Sequence, residues 1–121
     1  MNFEKFINEI KLKIKLKTTL DINDVIIIIA PDVLLFGIVT KIERDMSKKI
    51  DWWHVTFTTL SIPLQQMTII MRTEQMTGQE TFTMDGQYRF FSAIDINIEE
   101  EKPVKEVKKK PTLTLLKKEK Q

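Results

Sequence analysis

The single histidine, His54, stands in the run Asp51-Trp52-Trp53-His54 and is the first residue to test for metal binding or proton transfer. A metal site needs further imidazole or carboxylate ligands at a recognisable spacing, and the sequence supplies no such set around it. No cysteine is present, which removes disulfides, thiolate ligands and thiol nucleophiles together. The glycines stand at Gly37, Gly78 and Gly86, too scattered to form a phosphate-cradling loop. No G-x-S-x-G elbow or H-E-x-x-H helix occurs. Acidic residues are plentiful, but none sits in a context that predicts a raised pKa. The expectation is a protein without catalytic, metal-binding or cofactor-binding residues, and so not an enzyme.

The Trp52-Trp53 pair carries more information than the histidine. Adjacent strand residues face opposite ways, so both rings are buried only where the strand is covered on both faces. One is expected in the core. The other either packs under an N-terminal helix or is displayed as a patch for a partner or a second copy. The candidate interaction surface comprises Trp52, His54, Ile26, Ile28, Arg72 and Arg89. A displayed Trp52 with Arg72, Arg89 and tail lysines is also the raw material of a single-stranded nucleic-acid binder, in which rings stack bases and cations hold phosphates.

The elements that must position these residues read mainly as β. Residues 3–14 place Phe3, Phe6, Ile7, Ile10 and Ile14 at helical spacing. From Ile10 to Lys17 strict alternation equally suits a strand; the favoured reading is a helix from about Asn2 to Lys17. Thr18 to Asp24 is rich in turn formers. Val25 to Ala30 is β-branched on both faces, which demands cover on both sides or an interface. Pro31-Asp32 ends it. Val33 to Arg44 reads as a long strand in which Gly37 marks a bulge or bend. A polar loop from Asp45 to Lys49 leads to a strand at Ile50 to Leu60, then one at Met67 to Thr73, with a turn at Thr77-Gly78. Asp85-Gly86 between Thr81–Met84 and Gln87–Phe91 predicts a two-residue hairpin, since both positions accept positive φ.

Charge divides the chain. Residues 1–98 hold eleven Lys or Arg against twelve Asp or Glu, whereas residues 99–121 hold eight Lys and five Glu. A slightly acidic domain lacks the clustered cations of a duplex-binding face. Three parts follow: a helix and connection over 1–20, a β domain over 21–98, and a lysine-rich tail over 99–121 whose composition predicts disorder. Inside the tail, Leu113, Leu115 and Leu116 form a candidate recognition motif; the alternatives are a solubilising appendage or an electrostatic arm. The N-terminal residues lack a signal-like apolar stretch and no segment is long enough to span a bilayer, so no membrane role and a cytoplasmic location are expected.

Three stretches, DVIIIIAPDVLLFGIVTKIERD, DWWHVTFTTLSIP and MTIIMRTEQMTGQETFTMDGQYRFF, together resemble a family of small uncharacterised bacterial proteins across Asp24 to Phe91. That resemblance implies an SH3-like barrel and supplies no activity. The combined expectation is a mainly β protein: a small SH3-like barrel of five or six mostly antiparallel strands, with an N-terminal helix and a disordered tail. Its expected role is a non-catalytic protein-interaction or assembly module, acting on an unidentified protein or on itself.

Overall fold

The computed structural model describes residues 2–48 and 50–98. The tail over 99–121, with Leu113, Leu115 and Leu116, lies outside the described residues. The fold is mainly β: α1 (Phe3–Lys13), β1 (Val25–Ala30), β2 (Val33–Arg44), β3 (Trp52–Thr59), β4 (Gln65–Arg72), α2 (Thr73–Met76), β5 (Phe82–Met84) and β6 (Gln87–Ala93). The six strands form one antiparallel sheet in the order β4-β3-β2-β1-β6-β5. Four strands run as a meander, and β6 returns to the free side of β1.

Helix α1 begins where Asn2 accepts a hydrogen bond from the Lys5 N–H at 3.0 Å, satisfying an otherwise orphan donor. Glu4 in the first turn and Lys11 and Lys13 in the last complement the helix dipole. The helix is shorter than expected. Ile14 is already extended (φ −128°, ψ 132°), and Leu16 bridges to Ile94. The alternating pattern prevails there because docking Leu16 beside β6 satisfies backbone groups that a longer helix would turn away from the sheet.

The inner face of the sheet carries the main core. Ile26 and Ile28 of β1, Val39 of β2, Val55 and Phe57 of β3, Ile69 and Met71 of β4, and Phe91 and Ala93 of β6 are all buried in one cluster. Strands four places apart in the sheet share that cluster, so the sheet must curl; the result is a half-barrel. It is not closed. β4 and β5 exchange no ladder with one another, so both remain edge strands.

Two local features differ in detail from the sequence reading, and the Asp-Gly hairpin agrees with it. The irregularity in β2 falls between Val39 and Lys41, not at Gly37. Gly37 is required for a different reason: a Cβ there would lie 2.9 Å from the Thr58 carbonyl oxygen. The short helix α2 takes the place of a simple continuation from β4. At the hairpin, Asp85 (φ 52°) and Gly86 (φ 78°) adopt the left-handed backbone expected of an Asp-Gly turn.

The outer face has a smaller, separate core. Helix α1 lies over β1 and β6 and buries Ile27, Ile29 and Phe90 beneath Ile7, flanked by Phe3, Phe6, Ile10 and Ile14. Strand β1 is thus covered on both sides, as its unbroken β-branched run demands. No helix among the described residues is long and apolar enough to cross a membrane.

Candidate interaction surface

Because α1 covers β1 and β6, the outer face of β2, β3 and β4 has no cover among the described residues. Alternation assigns its residues: Leu34, Phe36, Ile38, Lys41 and Glu43 from β2, Trp52, His54, Thr56 and Thr58 from β3, and Gln66, Thr68, Ile70 and Arg72 from β4. The apolar part gathers at one end. Leu34 and Phe36 are 37% and 41% exposed, and the Leu60 N–H bonds the Phe36 carbonyl at 2.9 Å, bringing Leu60 alongside at the start of a β3–β4 loop in which Ile62 and Leu64 are also exposed. Two grooves border this strip. One of about 280 Å³ is lined by Phe3, Phe6, Val33 and Leu34, and one of about 560 Å³ by Ile14, Val25, Phe36, Ile94 and Ile96.

The structure resolves the tryptophan pair. Trp53 faces inward, packs against the main core and donates its Nε1–H to Thr73 Oγ1 at 2.9 Å. Trp52 is on the outer face and is not under α1, which removes the first of the two alternatives; the helix sits two strands away over β1 and β6. Lys48 lies over the Trp52 ring, 5.4 Å from its centroid, and Arg72 is its partner across β3 and β4.

His54 points outward beside Glu43 and Ile70. Its Nε2 is 2.9 Å from Asp45 Oδ2, while Ser47 donates its hydroxyl (2.6 Å) and its backbone N–H (2.9 Å) to Asp45 Oδ1. The Ser47 hydroxyl first, then His54 and the Ser47 N–H, hold the Asp45 carboxyl below the usual carboxylate range, at about 2. Serine and histidine thus bond opposite oxygens of one carboxylate and not each other, so no nucleophile–base relay is formed. The arrangement acts as a latch: with the Asp45 N–H bonded to the Trp52 carbonyl at 2.9 Å, it fastens the β2–β3 loop to the base of β3. The sequence signal for it was Asp45-Met46-Ser47, an Asp followed two residues later by a hydroxyl residue, which favours a side-chain-capped turn. Its partner His54 became visible only in the fold.

The other expected surface residues separate. Ile26 and Ile28 face inward and are buried in the main core, so they belong to no surface; strand β1 lies in the middle of the sheet, under cover on both sides. Arg89 is on β6 opposite Phe82, bonded to the Tyr88 carbonyl and to Gln87, three strands from Trp52 and on the other side of the sheet. Trp52, His54 and Arg72 do share one face. The Arg72 guanidinium is paired with Glu80, and Lys41 with Glu43.

No protein-family model, curated protein or solved structure matches this chain. The functional reading therefore rests on the surface itself.

Proposed function

We propose that this chain is a non-catalytic protein-interaction module, acting through the bare half of its outer sheet face. One observation carries the reading: Phe36 and Leu34 are substantially exposed, while Ile27 and Ile29, their direct cross-strand partners on the same face, are fully buried under α1. Apolar residues continuous with a core but lacking cover are what protein interfaces are built from. Leu34, Phe36, Leu60, Ile62 and Leu64 supply the apolar centre. Thr56, Thr58, His54, Lys41, Glu43 and Arg72 supply a polar rim, and half-exposed Trp52 is the aromatic anchor at the other end. The strand order, a meander whose last long strand returns beside the first, supports the resemblance to SH3-like bacterial proteins, and a cysteine-free chain suits a reducing cytoplasm.

The nucleic-acid reading has less support. Stacking on Trp52 would compete with Lys48, Arg72 and Lys41 already face carboxylates, and Arg89 is elsewhere. The test compares the immobilised full chain with its Phe36→Asp variant, at low and high salt, against cell extract and single-stranded oligonucleotides. The expected result is retention of a protein that survives high salt and is lost in the variant. Retention of oligonucleotide that falls steeply with salt and ignores Phe36→Asp would replace this reading with the other.

A further inference from the structure

The two edges of the sheet are finished differently. β5 offers only three residues, Phe82–Met84, and shortness protects an edge. β4 offers eight, Gln65–Arg72, without proline or lysine and without a charge before Arg72. None of the usual edge defences is present along it.

Hydrogen bonds show which backbone groups face outward. The Thr73 N–H reaches the Asp51 carbonyl on the β3 side at 2.9 Å, whereas the Arg72 N–H turns the other way and is capped by Gln75 Oε1 at 2.9 Å. Backbone groups alternate along an antiparallel strand, so Gln66, Thr68 and Ile70 direct their N–H and C=O groups to the open edge. All three residues are exposed. Gln75 closes the edge at Arg72, and no strand among the described residues pairs with the edge from Gln66 to Ile70.

We propose that this edge pairs with the same edge of a second copy, antiparallel, about a two-fold axis at Thr68. In that register Thr68 faces its own counterpart, Gln66 faces Ile70 and Ile70 faces Gln66. Every open N–H and C=O of these three residues then finds a partner on the other copy. The side chains agree with the backbone. Gln66, Thr68 and Ile70 are all outer-face residues, and inner-face Met67 meets inner-face Ile69, so the buried face of one sheet runs on into the other. Met67, 37% exposed at this edge, gains cover, and no like charges meet. A self-complementary patch of this kind is what a two-fold dimer requires. The joined sheet sets the two bare outer halves side by side, with an α1 helix flanking each. This inference rests on the interaction-module reading and names one partner as a second copy.

The experiment uses the full chain. Solution mass by light scattering is expected to be that of a dimer, and to halve in Thr68→Pro, which removes an edge-facing N–H without touching the β3 ladder. Should that variant not fold, Ile70→Lys, a gatekeeping charge on the exposed face, is expected to halve the mass instead. Because the chain has no cysteine, Thr68→Cys introduces a single thiol that sits at disulfide range from its twin, about 5.5 Å between Cα atoms. Mild oxidation is expected to cross-link Thr68→Cys and to leave Thr83→Cys, on the other edge, uncross-linked. A monomeric wild type, a dimer whose mass ignores both edge variants, or cross-linking of Thr83→Cys in place of Thr68→Cys overturns the inference. Any of these leaves the Phe36→Asp capture result standing by itself, so the two readings fail separately.

Discussion

Ile27 and Phe36 sit opposite one another on neighbouring strands, on the same face of the same sheet, and so do Ile29 and Leu34. The first of each pair is fully buried and the second is about two-fifths exposed. Strand chemistry does not separate them; all four are large apolar residues in regular β structure. What separates them is that α1 spans β1 and β6 and stops short of β2. A strand's outer residues are therefore structural or functional according to what lies over them, and in this molecule that boundary runs between β1 and β2.

The largest expected effect comes from the covered side. Phe90→Ala empties the small core under α1 and should cost about 3–5 kcal/mol in denaturant unfolding. Approaching from the helix, Ile7→Ala should cost about 2–5 kcal/mol and loosen α1, seen as faster amide exchange along β1 and β6. Small losses at both sites would erase the distinction between covered and bare halves.

A polar latch, not a hydrophobic lid, orders the base of β3 on the bare side. Because the Asp45 pKa is depressed on folding, its contribution is present above the unfolded carboxylate value of about 3.9 and is lost as pH falls towards about 2. Asp45→Asn should lower stability near neutrality and flatten the acid limb of the stability curve across that window. An unchanged acid limb would show that the latch does not set it. The smallest effect belongs to the apolar strip itself: Leu34→Ser should shift unfolding by no more than about 0.5–1 kcal/mol, since its partner-facing surface is open to water in the free chain.

Much of the fold was legible. The Asp-Gly hairpin, the limits of β1 and β2 and the need to cover β1 on both sides follow from turn chemistry and from the β-branched run Val25–Ile29. The end of α1 was not, because residues 10–17 satisfy helical and strand periods at once and the choice falls to the bridge between Leu16 and Ile94. Gly37 misled for a related reason: glycine marks a close approach as often as a bulge, and the approach is to Thr58 on another strand. At the surface, Trp52 and His54 share one face, as period-two alternation requires, and the pairing of β3 with β4 adds Arg72. Ile26 and Ile28 were wrongly read onto the interaction surface and lie in the main core, since an all-apolar strand says that both faces are covered or in an interface without saying by what. The edge exposure of Gln66, Thr68 and Ile70 depends on strand order, which local sequence does not encode.

The most direct test pairs two readouts on one variant, Phe36→Asp: unfolding free energy and retention of protein partner by the full chain. If the bare half of the outer face exists for binding, the charge leaves stability within about 0.5–1 kcal/mol of wild type and abolishes retention. A variant that unfolds, or one that retains its partner undiminished, contradicts the account.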